Sequence, residues 1–131
     1  VYLADSGILH SLLGVHTPAE LLAHPKCGAS WEGFAIREIL RRGNVGRDEA
    51  YFWGVHTGAE LDLLVVRDGR RLGFEVKLSR SPGVTPSMRS AREALGLDHL
   101  YVVCHGDGPP WPLADGIPAV PLASLPILPP P

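Results

Sequence analysis

The chain reads as an α/β domain with a mixed central sheet and extra N-terminal helices. Its core runs in the order helix, three strands, helix, strand. Three observations predict this. Residues 60–77 (ELDLLVV-RDGR-RLGFEVK) form two alternating runs joined by Asp68-Gly69, a dipeptide favoured where both hairpin-turn positions need φ > 0. HLYVVC (99–104) is a continuous apolar run of the kind buried in parallel sheets. Between them, Thr85-Pro86 caps a helix running to about Leu95 and closed by Gly96. That helix is a crossover, which makes the fourth strand parallel to the third through a right-handed connection.

The remaining elements follow in chain order. Residues 1–4 predict a short strand, and Asp5-Ser6 caps a helix that passes His10 and ends at Gly14. Thr17-Pro18 caps a short helix over 19–23, with Pro in the first turn where its missing N–H costs nothing. A longer helix spans 29–42 and stops at Gly43-Asn44. Residues 46–49 are a loop, 51–55 a strand, and Ser81-Pro82-Gly83 breaks the chain after the hairpin. From Gly106 onward proline and glycine dominate, predicting mostly irregular structure, one short strand near Ala119 and a frayed end at 129–131. The organisation is then an N-terminal strand and helices (1–25), a core (26–105) and a Pro/Gly-rich extension (106–131), without internal repeats.

At 131 residues, 45% of them hydrophobic and with a net charge of −2, the sequence suits one domain with a proper core. No run is apolar enough to span a membrane. The opening VYLADSGILH lacks a basic leader and a small-residue cleavage site. It also lacks an initiating Met, so the expectation is a piece of a longer polypeptide. Cys27 and Cys104, far apart in sequence, are expected as reduced residues of a cytoplasmic protein. Basic residues dominate from Arg67 to Arg92, against Asp68 and Glu75 alone between the hairpin and Ser90. Such a field suits a phosphate backbone, with Arg80, Arg89 and Arg92 as the candidate nucleic-acid contacts; a plain solvated surface is the bland alternative.

The hairpin carries the chemistry. With Asp68-Gly69 as the turn, Arg67 faces Arg70, and the same register sets Asp62 across from Glu75 and Glu60 across from Lys77. Alternation would put all four on one face, with Val65/Leu72, Leu63/Phe74 and Leu61/Val76 on an apolar one. Like charges directly opposed in a sheet are destabilising by up to ~1 kcal/mol, so a cation is expected between the carboxylates. Lys77 is one candidate and a divalent metal the other. An exposed cross-strand salt-bridge cluster without function accounts for the same residues.

Asp62 followed by Glu75-x-Lys77, in this order of elements, resembles the PD-(D/E)XK nuclease superfamily with its restriction-endonuclease-like core. GASWEGFAIREILRR resembles the helix that brings a further glutamate there, which is Glu32 in this chain. More narrowly, YLADSGILHSLLG, WEGFAIREIL, YFWGVHTGAELDLLV and FEVKLS together resemble the carboxy-terminal domain of unknown function 4143, which usually follows an AAA+ type ATPase module. The resemblance covers roughly residues 1–105. It implies a metal-dependent nuclease, with Asp62, Glu75, the Val76 carbonyl and Glu32 around Mg²⁺ (or Mn²⁺) and Lys77 catalytic beside Asp62 and Glu75. Glu32 shares a helix face with Ala35, Ile36 and Ile39, so it points toward the core, where a carboxylate needs a partner.

Rival chemistries find less support. No His or Cys pair has structural-zinc spacing, and no GxxxxGK[ST] run is present for a P-loop. His56 fits a loop histidine, Tyr51, Phe52 and Trp53 fit core and edge packing, and Glu38 with Arg42 fits an ordinary i,i+4 pair. Two functional readings from different classes therefore stand: a Mg²⁺-dependent phosphodiesterase, and a non-catalytic module that binds nucleic acid or docks an AAA+ ATPase partner.

Overall fold

The computed structural model describes residues 6–125. The strand expected over 1–4, the cap at Asp5 and the frayed end at 129–131 lie outside them. Three helices come first: α1 (Ser6–Leu12), α2 (Pro18–Ala23) and α3 (Cys27–Arg42). Thr17 caps α2 by accepting from the Glu20 N–H while the Glu20 side chain returns to the Thr17 N–H, so two otherwise orphaned donors are satisfied. Among the described residues no helix is long and apolar enough to cross a membrane.

Then come β1 (Ala50–Gly54), β2 (Glu60–Arg67), β3 (Arg70–Lys77), α4 (Pro86–Leu95) and β4 (His99–Cys104). This is the predicted order of helix, three strands, helix, strand. The β2–β3 turn has φ of 52° at Asp68 and 76° at Gly69, as a two-residue hairpin of this type requires. Thr85 caps α4 with Pro86 in its first turn, and Gly96 closes it at φ 56°. β3 and β4 pair in parallel from Leu72↔His99 to Lys77↔Cys104.

Residues 106–125 were expected to be mostly irregular. The short strand expected near Ala119 is β6 (Pro118–Pro121), and an unexpected β5 (Trp111–Pro112) lies beside it, completing a mixed six-stranded sheet in the order β1-β2-β3-β4-β6-β5. β6 runs parallel to β4, and its Pro118 and Pro121 sit at the strand's two ends, where a missing N–H is tolerated. Two apolar layers cover the sheet. One joins Ala35 and Ile39 of α3 to Leu63, Val65, Phe74 and Val76; the other joins Met88 and Ala91 of α4 to Leu61, Leu64, Leu100 and Val102.

Gly73 lies where the second layer is tightest. A Cβ there would stand 2.6 Å from Leu97 Cδ1 and 3.1 Å from Leu100 Cδ1, so only glycine lets α4's end approach β3 this closely.

Candidate functional site

The hairpin register holds from Arg67↔Arg70 to Leu63↔Phe74, as the turn predicts. Beyond that point the expected pattern changes, and a β-bulge is the cause. β1 pairs Tyr51 with Leu64 but Trp53 with Leu61, so Asp62 and Leu63 together stand opposite Phe52 alone. One extra residue in β2 shifts its alternation and bends the strand. Leu61 consequently packs with Leu64 in the α4 layer, while Val76 stays in the α3 layer. The predicted Leu61/Val76 pairing on one apolar face is therefore corrected.

The four charged residues are likewise not in one simple cross-strand row. On the β1 side Glu60 stands opposite Gly54, and on the β3 side the ladder ends at Leu63↔Phe74, short of Asp62/Glu75 and Glu60/Lys77. Its backbone is held by Ser87, whose hydroxyl accepts from the Glu60 N–H at 3.0 Å and donates to the Glu60 carbonyl at 3.1 Å. Asp62 turns its side chain into the gap: Oδ2 accepts the Val76 N–H at 2.7 Å, where a regular ladder would use a β2 carbonyl. The strands part at the position of the carboxylates because a side chain has replaced the backbone acceptor.

Asp62 and Glu75 nonetheless share one electrostatic environment. Glu75 is 4% exposed. Its Oε1 meets Lys77 Nζ at 2.6 Å, while its Oε2 is buried and has no hydrogen-bond partner in the protein. Burial drives the Asp62 pKa up to about 7; the Val76 N–H opposes this, and the charges of Glu75 and Glu32 add to it. Burial also raises the Glu75 pKa, against the hydrogen bond and charge of Lys77 and with the charges of Glu32 and Glu60. For Lys77, burial alone would favour the neutral amine, but the hydrogen bond to Glu75 and the charges of Glu75, Asp62 and Glu32 outweigh it and raise its pKa.

Glu32 is half-buried on α3, and its charge is felt by Asp62, Glu75 and Lys77 alike. Three carboxylates, of Glu75, Asp62 and Glu32, thus act on one ammonium. Among the described residues no three His, Cys, Asp or Glu side chains stand close enough together to hold a metal ion. What the site does offer is a pair of hard oxygen donors, one of them a buried oxygen with no partner. That set fits a small divalent cation that keeps several waters, as Mg²⁺ does, rather than one needing an all-protein cage.

The candidate nucleic-acid contacts fall in two other places. Arg80 follows β3 and lines a cavity of about 350 Å³ with Trp31, Phe34 and His105. Arg89 and Arg92 of α4 are tied to the loop before β6: Arg89 Nε donates to Asp115 Oδ2 at 2.7 Å and Arg92 Nη1 to the Asp115 carbonyl at 2.7 Å. The aromatic run on β1 divides as well, since Trp53 packs against the core whereas Tyr51 and Phe52 are exposed rather than packed. On α3, Glu38 meets Arg41 at 2.9 Å and Arg42 at 3.6 Å, so the i,i+3 partner is the closer.

Sequence reasoning missed Trp31 and Phe34. They follow Cys27 and precede Glu38 at spacings of four, three and four, which places a stripe on α3 beside the one that packs on the sheet. That spacing was the available signal. The indole N–H of Trp31 is buried without a protein acceptor, and its ring meets His105 edge-on at 5.5 Å.

Two relatives, an uncharacterised protein of Mycobacterium bovis and another of Mycobacterium tuberculosis, are each 40% identical over 121 residues, covering 92% of this chain. The chain spans 27% of the length of these curated relatives. No solved structure matches it. A family model matches residues 27–125, from the start of α3 to the end of the described chain, and the protein belongs to that family, the Domain of unknown function (DUF4143).

Proposed function

We propose that this domain is a PD-(D/E)XK-type, Mg²⁺-dependent phosphodiesterase acting on nucleic acid. One observation carries the reading: the buried, unpartnered Oε2 of Glu75, in a carboxylate cluster whose one ammonium already binds Oε1. A buried carboxylate oxygen with nothing to accept from is costly, and a cation is what relieves it.

In this reading Asp62 and Glu75 hold the ion, with the Val76 carbonyl and Glu32 completing its surroundings. A divalent cation held there supplies positive charge to a scissile phosphate and lowers the pKa of water. Asp62 is kept rigid by the Val76 N–H and does not swing away as its charge changes. Lys77, 40% exposed at its side chain, faces solvent on one side and Glu75 on the other, so it can meet a phosphate oxygen without leaving the cluster. Arg80, which follows β3, adds positive charge for the phosphate backbone.

The non-catalytic reading has its own support in the absence, among the described residues, of a three-ligand metal group. Under it Lys77 is the structural counter-ion of Glu75, and the fold binds nucleic acid or docks a partner. Because the chain spans only 27% of the relatives' length, the full polypeptide is proposed to carry the AAA+ type ATPase module that the family resemblance implies, in the cytoplasm.

Melting temperature against Mg²⁺ and Mn²⁺ concentration tests the choice. The catalytic reading expects stabilisation by mass action in the unmodified protein, largely lost in Asp62→Asn. Lys77→Ala is expected to keep or strengthen the metal-dependent shift, because a competing positive charge is gone, yet to abolish cleavage of plasmid or single-stranded substrates. No metal-dependent shift in the unmodified protein removes the catalytic reading.

A further inference from the structure

Resting on the nucleic-acid reading above, we infer that the cavity at the carboxyl ends of β3 and β4 is a subsite for one unpaired nucleotide of a single strand, with its base against Trp31, Phe34 and His105 and its phosphate on Arg80.

Position is the first argument. β3 ends at Lys77 paired with Cys104 of β4, and the two strand ends stay joined beyond that point, where the His105 N–H donates to the Ser79 carbonyl at 3.2 Å. Arg80 and His105 therefore leave the sheet together, at the carboxyl ends of parallel strands, where open α/β sheets present their ligands. Arg80 lies three positions beyond Lys77, at most about 10 Å of extended chain. It joins the cavity to the end of the strand that carries Lys77.

Chemistry is the second. The cavity holds about 350 Å³, and an apolar one of about 390 Å³ adjoins it across the same Trp31, Phe34 and His105. Phe34 keeps 40% of its surface exposed although an aromatic ring at that position on α3 has an apolar neighbour 6.1 Å away in Trp31. A half-exposed ring offers a stacking face that every base can use, and stacking of this kind serves single strands because duplex bases hide their faces. Charge sorts the two ends of the nucleotide. Arg42 is engaged with the Leu122 and Ala123 carbonyls at 2.8 and 3.3 Å, which leaves the exposed Arg80 as the guanidinium for a phosphate. Glu38 and Asp107 also line the cavity, and their negative charge disfavours a phosphate anywhere but at Arg80.

The subsite selects unpaired nucleic acid, which the carboxylate cluster by itself does not. The test is anisotropy of a fluorescein-labelled 12-residue oligothymidine, the matching oligouridine and a blunt duplex of the same length, in EDTA so that no divalent cation takes part. The single strands are expected to bind at least tenfold more tightly than the duplex, and Phe34→Ala and Arg80→Ala each to weaken them about tenfold while melting as the unmodified protein does. Absence of single-strand binding, a preference for the duplex, or unchanged affinity in both variants overturns the inference. The melting shift of the unmodified protein with Mg²⁺ separates the two readings, because strand binding at the subsite needs no metal. Strand binding lost in Phe34→Ala, without any metal shift in the unmodified protein, keeps the subsite and removes the catalysis; the opposite pattern removes only the subsite.

Discussion

The two ends of the β2–β3 hairpin hold acidic residues in opposite conditions. At the turn end, Glu49 accepts from Arg67 at 2.7 and 2.6 Å and from the Gly46 N–H at 2.8 Å, in contact with solvent; these bonds hold its pKa down to about 2. At the open end, burial pushes Asp62 up to about 7 and also raises Glu75. Arg67 additionally donates to the carbonyls of Gly43 and Asn44 at the end of α3, so its guanidinium is fully used. The cation at the open end is a lysine with one carboxylate oxygen in hand and two further carboxylates in reach. The comparison teaches that the hairpin's turn end is built for stability and that its open end holds unbalanced negative charge.

The sharpest way to break this contrast is to remove the lysine. Lys77→Ala should leave a buried, uncompensated Glu75 and cost about 3 kcal/mol at pH 8, measured by urea denaturation in EDTA. The loss should shrink at pH 5, where Glu75 can take up a proton. Equal losses at both pH values would mean that packing of the lysine stem, not charge, holds the open end together.

Next in size is the pH dependence of the unmodified protein without divalent cations. Folded Asp62 keeps its proton to about pH 7, whereas the unfolded group loses it near 3.8. Between those values the folded chain binds the extra proton, so stability from this group is present at low pH and lost as pH rises. The expected loss is on the order of 2 kcal/mol, since the site's open side keeps Asp62 partly hydrated. Asp62→Asn should flatten this slope, and a slope unchanged in that variant would refute the assignment.

At the turn, Gly69→Ala should cost about 1 kcal/mol through its φ of 76°, at every pH. A pH-dependent loss there would show that the two ends are not independent. The smallest effect belongs to Glu49→Gln, and its sign is opposite to that of Asp62. Its depressed pKa gives stability above the ordinary carboxylate value that disappears as pH falls toward about 2. The variant should therefore be slightly weaker than the unmodified protein at neutral pH and equal to it near pH 2, by thermal melting.

Much of the frame was legible in the residues because single short-range signals decide it. Asp68-Gly69 set the hairpin register, Thr17-Pro18 and Thr85-Pro86 marked two helix starts, and the apolar run 99–104 marked a buried parallel strand. The bulge at Asp62 and Leu63 was not legible, because ELDLLVV alternates equally well with or without an extra residue; the shift is seen only against β1. The strand at Trp111–Pro112 was hidden by its proline, which argues against a strand except at ends and edges, whereas the one at Pro118–Pro121 was expected near Ala119. Charge composition found Arg80, Arg89 and Arg92 but not their separation, since Asp115 comes more than twenty residues after α4's arginines. At the site, residue types pointed to Asp62, Glu75 and Lys77, while burial, the orphaned Glu75 oxygen and the aromatic wall of Trp31 and Phe34 belong to tertiary packing.

The parallel half of the sheet has a consequence for synthesis. β1, β2 and β3 are neighbours in sequence and can pair as soon as they leave the ribosome. β4 and β6 are needed on the far side of β3, and β6 is not made until residue 121. Until β4 is made, Phe74 lacks the Tyr101 ring that stacks on it at 5.4 Å, and one whole edge of β3 has no partner. A nascent chain stalled before β4 thus displays a sticky, open-edged hairpin, and ribosome-associated chaperones have their longest opportunity on this protein in that interval.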